Sequence, residues 1–458
     1  MISVVEERKR KNIKSREKKP GVKRRKKDEF SRTKRRVLTR RGVVWLGQTC
    51  NLRCHFCYFL DRVSIKEHPE HPFMSLEKAK KMCFTLVDFY KNNAIDIQGG
   101  EPTIYPHIYE LVRYCSEIGL LPTLITNALV LSRRKSCERL KESGIRDLLI
   151  SIHGLKDTYD QTVGVPGAHA KQMRALEHLQ ELAIPFRFNC VLTKMTLPQL
   201  NQIADLARQT KCRVVNFIAF NPFEDQQKQG KRSRDNVPRY SQVKPFLTEA
   251  LDLLAELGIE SNVRYFPLCM VEDRHRKVVY NFQQLPYDIH EWDYASWSWT
   301  GMVSQRTKEG DTSSVISLEE ATYQPLSYPG PLKHAASAAK RLVLRFPRLR
   351  EPAEALHRKL SRAVHQNRFS ADKGEYLHQL YRANGIMRAT RHCNYLYSSQ
   401  CKRCAVRQIC DGFHGDYAAI FGTDEATPIS SEIEVSDPLY YISEQEKVVE
   451  VEDYEWAL

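Results

Sequence analysis

Along the middle of the chain the spacing of apolar residues switches repeatedly between two periods. Residues 42–46, Gly-Val-Val-Trp-Leu, form a short unbroken apolar run, as a buried strand requires. Over residues 75–91, Leu76, Ala79, Met82, Leu86 and Phe89 fall on one side of a helix, and Ser75 stands where an N-cap belongs. The pattern then predicts strands over 94–98, 122–126, 147–152, 186–192 and 213–220, with helices over 107–118, 132–143, 169–183, 198–210 and 242–257. Gly119, Gly144 and Gly258 stand just past three of these helices, where a left-handed residue ends a helix. An extended segment over 261–268 follows. Six strand–helix repeats predict a parallel sheet with right-handed crossovers: a partial (β/α)6 TIM-like barrel, two units short of a closed one. In such barrels chemistry sits at the C-terminal ends of the strands, so a true catalytic motif here should follow a strand.

Two motifs do so. After the first strand the chain reads Gly47-Gln48-Thr49-Cys50-Asn51-Leu52-Arg53-Cys54-His55-Phe56-Cys57, a C-x3-C-x2-C loop. Three thiolates this close wrap one face of an iron–sulfur cluster, and a four-iron cube with three Cys ligands keeps one iron open. Zinc is the competing reading, but it wants a fourth ligand, and His55 adjoins Cys54 too closely to serve easily. The second strand runs into Gly99-Gly100-Glu101-Pro102. The glycines permit close backbone approach, Glu101 offers a carboxylate for an ammonium group, and Pro102 stiffens the exit. Further strand ends carry Asn127, Ser151, His153 and Asn189, which are either ligand contacts or barrel-interior residues with local hydrogen bonds.

With Cys50, Cys54, Cys57, Phe56 and Gly99–Pro102 in view, residues 43–270 resemble the radical S-adenosylmethionine (radical SAM) superfamily. That resemblance implies a [4Fe–4S] cluster whose open iron takes the amino and carboxylate groups of SAM. Gly99, Gly100 and Glu101 would hold the methionine ammonium, the Phe56 backbone would meet the adenine, and Asn127, Ser151 and Asn189 would reach the ribose or carboxylate. It further implies reductive cleavage of SAM to a 5′-deoxyadenosyl radical, and a reductant such as flavodoxin or ferredoxin. Near the C-terminus, Cys401, Cys404 and Cys410 form a second triplet, with Cys393 before it and Cys269 just past the barrel. With Asp411-Gly412-Phe413-His414-Gly415, Tyr417 and Gly422 this run resembles the SPASM or twitch extensions of that superfamily, with Cys enough for one auxiliary [4Fe–4S] cluster. Cys269, Cys401, Cys404 and Cys410 are the expected ligands, Cys393 the rival, and a zinc ribbon the alternative. Cys83, Cys115, Cys137, Cys190 and Cys212 have no paired spacing and are read as core.

Charge adds a domain plan. Residues 1–41 carry 19 of the 71 basic and five of the 55 acidic side chains, a net of +14 that leaves +2 for the other 417 residues. Such a run predicts a disordered basic tail, either a solvated extension or an arm for nucleic acid or an anionic surface. The plan is then a tail over 1–41, a radical SAM core barrel over 42–270, an insert over 271–392, an auxiliary-cluster domain over 393–425 and an acidic tail over 426–458. In the insert, the stretch from Leu285 to Trp299 is dense in aromatics and acids and either meets substrate or packs on the barrel mouth. Arg341, Arg345, Arg348 and Arg350 form a solvated face or meet a phosphate. Thirteen Cys with no apolar leader at the start predict a cytoplasmic protein with metal-bound or reactive thiols rather than disulfides, and no stretch is apolar enough to span a membrane. Only the short tail precedes the barrel, which weighs against a leader-binding peptide modifier. The expected substrate is a small molecule: a carbohydrate, nucleotide or lipid-linked metabolite. A radical SAM peptide-modifying enzyme and a non-catalytic RNA-binding iron–sulfur protein are the alternatives.

Overall fold

The computed structural model describes residues 31–57, 72–88, 92–221, 232–290 and 374–450, with isolated positions between 338 and 356. A short strand, β1 (Ser31–Thr33), stands outside the main sheet. Eight parallel strands then lie side by side in chain order: β2 (Arg41–Trp45), β3 (Ala94–Gln98), β4 (Leu121–Thr126), β5 (Asp147–Ser151), β6 (Phe186–Leu192), β7 (Val214–Ala219), β8 (Glu260–Arg264) and β9 (Val279–Tyr280). The order never doubles back, and the sheet curls into an open half-barrel rather than closing. Helices α1 (Leu76–Asp88), α2 (Ile108–Glu117), α3 (Arg134–Glu142), α4 (Lys156–Val163), α5 (Ala168–Glu181), α6 (Leu200–Gln209) and α7 (Tyr240–Glu256) lie between the strands.

The periodicity that predicted these helices also decides what they bury. Helix α1 turns Ala79, Met82, Cys83 and Leu86 inward, and the Lys78 N–H donates to Ser75 Oγ at 3.3 Å, so Ser75 does cap it. Helix α6 buries Leu200, Ile203, Ala204 and Ala207. The five cysteines read as core are all buried.

The sheet departs from six strands in one place. The segment expected only to be extended contains β8, and β9 lies within the region expected to be an insert. Strand β8 reads Glu-Ser-Asn-Val-Arg and is buried at every position, so no apolar run announces it. Its polar side chains are matched inside the barrel. Arg41 of β2 donates to Asp96 of β3 and Thr123 of β4, both at 2.9 Å. Arg187 of β6 meets Asp147 of β5 at 2.7 Å, and Arg264 of β8 meets Asp288 at 2.8 Å. Each buried charge has a counter-charge with hydrogen-bonding geometry, which is the condition for keeping it there.

A last strand, β10 (Lys447–Val449), completes this floor and corrects both expected tails. It pairs antiparallel with β1, and Lys447, 1% exposed, reaches Glu260 at 2.5 Å and Asp288 at 3.0 Å. Within the tail expected to be disordered, residues 31–41 are therefore part of the fold; Arg36 also donates to the Ile442 and Gln445 carbonyls. A net-charge argument treats these arginines as a solvated run, whereas several have specific acceptors. Residues 1–30 lie outside the described residues, as do Glu291–Trp299 and the four arginines from Arg341 to Arg350. Helix α8 (Gly374–Met387) runs into a π-helical turn over Arg388–His392, and helix α9 (Gly415–Phe421) follows the second cysteine group. No helix among the described residues is long and apolar enough to cross a membrane.

Candidate functional site

The loop after β2 and the turn after β3 are built as one unit. Gly100 N–H donates to Gly47 O at 2.8 Å and Glu101 N–H to Thr49 O at 2.9 Å. A Cβ on Gly100 would stand 2.1 Å from Thr49 O, so no side chain fits there. The glycines were expected to admit a ligand; in the fold Gly100 first admits the neighbouring loop. The far side of the three-cysteine loop is tied to α4, an element the sequence pattern did not anticipate. Arg53 N–H donates to Val163 O at 2.8 Å and His55 N–H to Thr162 O at 3.2 Å. Gly164 ends α4 at φ 66°, a left-handed stop.

Glu101 is buried and accepts four hydrogen bonds. Its Oε1 takes Thr103 N at 2.9 Å, Thr103 Oγ1 at 2.5 Å and Thr126 Oγ1 at 2.6 Å, while Oε2 takes Asn127 N at 2.8 Å. A carboxylate offers about four lone-pair sites, so Oε2 keeps one for a further donor. Burial raises its pKa from the ordinary carboxylate value, against the pull of these hydrogen bonds. Asn127 continues the chain of contacts: its Nδ2 donates to Asn51 Oδ1 at 2.8 Å, inside the three-cysteine loop. Pro102 opens the 3₁₀ turn Pro102–Ile104, which holds Glu101 at its N-cap.

One cavity of about 360 Å³ receives ten of the candidate site residues singled out in the sequence. Cys50, Cys54, Phe56, Cys57, Gly99, Gly100, Glu101, Asn127, Ser151 and Asn189 all line it, at the C-terminal ends of β2 to β6. Pro102 does not; it sits behind the turn. Asn189 Oδ1 is buried with no hydrogen-bond partner among the described residues, as an atom awaiting a donor would be. His153 lines the cavity edge-on to Phe56, with ring centroids 4.5 Å apart, and accepts from Val191 N at Nδ1. Burial lowers its pKa to about 3, so the ring is neutral near pH 7. Sequence reasoning did not place Arg264 and Tyr265 in the site. The strand-end rule finds them once β8 is seen as a strand. Arg232, Phe282, Arg388, Cys393 and Tyr395 also border the cavity, and they come from beyond the six repeats or from loops without a pattern.

The cysteines near the cavity are poor thiolates by themselves. Burial, with the Glu101 charge close by, pushes the Cys50 thiol up to about 12. Burial beside the other two thiols pushes Cys54 well up. Such groups ionise where a strong positive centre stands beside them, which is what the irons of a cluster supply. Among the described residues no three His, Cys, Asp or Glu side chains converge on a single ion. A cube spreads its irons over separate corners and asks for no such convergence.

Cys269, Cys401, Cys404 and Cys410 line a second, small cavity together with Tyr397, Phe413 and Thr427. Burial raises Cys269 and Cys401, and Cys410 more strongly. The run is held by tight turns: Cys404 N–H donates to Cys401 O, and Tyr397 Oη donates to Cys410 O at 2.7 Å. Cys393, the rival, is not in this group and faces the large cavity instead.

Part of the sequence is similar to known proteins. The profile of the radical SAM superfamily matches residues 46–207. Over 168 residues the chain is 30% identical to an AdoMet-dependent heme synthase of Oleidesulfovibrio alaskensis, covering 36% of this chain and 42% of that protein. Over 169 residues it is 31% identical to a PqqA peptide cyclase of Bradyrhizobium diazoefficiens, again covering 36% and 42%. The chain thus spans less than half the length of these curated relatives. The crystal structure of SuiB from Streptococcus suis aligns with a TM-score of 0.41 at 19% identity over 49% of each chain. The profile match takes in the three-cysteine loop, the Gly99–Pro102 turn and the ends of β4, β5 and β6, all mounted on a parallel half-barrel. Residues 46–207 of this chain are therefore similar to the radical SAM superfamily in both sequence and placement of the motif.

Proposed function

We propose that this protein reductively cleaves SAM and uses the radical to abstract hydrogen from a small-molecule substrate, of the carbohydrate, nucleotide or lipid-linked class. Cys50, Cys54 and Cys57 hold the [4Fe–4S] cluster. Glu101 Oε2 and the backbone at Gly99 and Gly100 take the methionine end of SAM, Phe56 borders the adenine, and Asn127, Ser151 and Asn189 orient the remainder. When bound, cluster and SAM together supply one electron and a carbon radical; the chain's own part is to bind, orient and keep water out. The observation that carries this reading is the meeting of ten such residues from five strand ends on one cavity. Its volume, about 360 Å³, lies within the range for ligand sites, roughly 300–1,000 Å³.

Cys269, Cys401, Cys404 and Cys410 hold a second, fully ligated cluster. A protein of flavodoxin or ferredoxin type supplies the electron, in the reducing cytoplasm where thirteen thiols stay unpaired. The test is anaerobic reconstitution, reduction with dithionite and measurement of 5′-deoxyadenosine. Changing Cys50, Cys54 and Cys57 together to Ala should abolish the product while about four irons per chain remain. Unchanged cleavage in that variant rejects the assignment. A protein that cleaves no SAM but binds RNA favours the non-catalytic alternative. Peptide modification is a second reading, supported by the 31% identity to a PqqA peptide cyclase. It is favoured if a peptide, rather than a small molecule, accelerates cleavage.

A further inference from the structure

Three cysteines lie on the first loop, four gather at the second cavity and five are core, which leaves Cys393. It lines the large cavity and is 7% exposed. Tyr395 borders the same space at 6% exposure, and its hydroxyl has no hydrogen-bond partner among the described residues. A buried hydroxyl left in this way marks a wall built to face something polar. The segment is fixed from both sides. Cys393 N–H donates to Arg388 O at 3.2 Å, and Gly415 N–H to Cys393 O at 2.9 Å. A Cβ on Gly415 would stand 2.5 Å from Asn394 O, so α9 starts hard against this segment. The π-helical turn Arg388–His392 immediately precedes Cys393, and such turns are common beside functional sites.

We propose that Cys393 is a hydrogen-atom donor inside the cavity. The inference rests on SAM cleavage at that same cavity. In the step, the Cys393 S–H bond breaks homolytically, its hydrogen atom forms a C–H bond with a carbon radical, and sulfur keeps the odd electron. One electron from the low-potential one-electron donor that cleavage already needs, with one proton from water, restores the thiol. The S–H bond is weaker than the C–H bond that replaces it, so the transfer runs downhill.

The experiment uses the full reconstituted chain with dithionite and SAM alone, in D2O, where S–H and O–H exchange and carbon-bound hydrogen does not. The 5′-deoxyadenosine from the wild type should carry deuterium. That label should fall to background in Cys393→Ala and persist in Tyr395→Phe. Cys393→Ala should also keep about eight irons per chain, a readout independent of turnover. Label persisting in Cys393→Ala, or unlabelled product from the wild type, overturns the proposal. A fall to about four irons overturns it too, since Cys393 would then be a cluster ligand. If the wild type makes no 5′-deoxyadenosine, the cleavage reading fails and this proposal falls with it.

Discussion

Glu101 has two jobs that pull on the same carboxylate. One oxygen binds Thr103 and Thr126, and the other binds Asn127 N–H with room for one more donor. A charge-assisted bond to an ammonium is worth ~1.5–3 kcal/mol, so Glu101→Ala should weaken SAM binding by roughly ten- to a hundredfold. Four donors are stranded as well, which should cost fold stability, whereas iron content stays the same. Equal SAM affinity in the variant would remove Glu101 from the site. His153 gives a pH signature. Its folded pKa, about 3, lies below the ordinary value of 6.5. On acidification the unfolded chain therefore takes the proton first, and stability is lost as pH falls from 6.5 towards 3. The slope is about 1.4 kcal/mol per pH unit, or roughly 2 kcal/mol between pH 7 and pH 5. His153→Gln keeps an acceptor for Val191 N–H and should remove that part of the slope. Parallel stability–pH curves for the two proteins would contradict the burial argument.

Elements matter here through the loops they force together. Gly100 lets the turn after β3 lie on the loop after β2, with Thr49 O at 2.1 Å from any added Cβ. Gly100→Ala must push the loops apart, an overpacking cost of roughly 1–3 kcal/mol. The shift displaces the three cysteines, so iron at the first site should fall while iron at the second is kept. Wild-type iron in that variant would mean the loops are not coupled. These same elements show what was readable in the sequence. Strands β2 to β7 are apolar, and the helices that follow them are amphipathic, so their order and the placing of the motifs at their ends could be read directly. Helix α4, Lys156–Val163, has only Tyr159, Thr162 and Val163 buried, too short a stripe to show a period. Strand β8 is polar because Glu260 pairs with Lys447 and Arg264 with Asp288, residues that lie outside the strand. No local pattern can announce a residue whose environment arrives from elsewhere in the chain. For that reason Arg264, Tyr265 and Tyr395 were invisible as cavity residues, while Cys50, Cys54, Cys57 and Glu101 were not.

At the scale of the molecule, Cys269 connects the barrel to the C-terminal cysteines. It follows Pro267 past β8 and meets Cys401, Cys404 and Cys410 at one cavity. Cys269→Ala should lower iron from about eight towards four per chain and loosen the C-terminal part, seen as earlier proteolysis there. Full iron in that variant would take Cys269 out of the ligand set. Within the basic segment, the described residues begin at Ser31. Removing residues 1–30 should leave SAM cleavage and thermal stability unchanged. Removing 1–40 should lower stability, because β1 and the Arg36 contacts go with it. If the full chain binds RNA with an affinity that falls steeply with salt, and the shorter deletion loses that binding, residues 1–30 are an electrostatic arm.

The pairing of β1 with β10 also sets a timetable. Ser31 finds its partner at Val449, and Glu260 and Asp288 find Lys447. At about 5–20 residues per second, translation takes roughly 20 to 85 seconds between the two strands. Before that interval ends the six apolar strands can already be paired and the three-cysteine loop in place. The floor of the barrel, meanwhile, holds two carboxylates with no lysine between them. The nascent chain must keep that end hydrated and open while the cavity residues after β2 to β6 are already in place. A ribosome stalled before Lys447 would present a protein with all thirteen cysteines synthesised and its base unsealed.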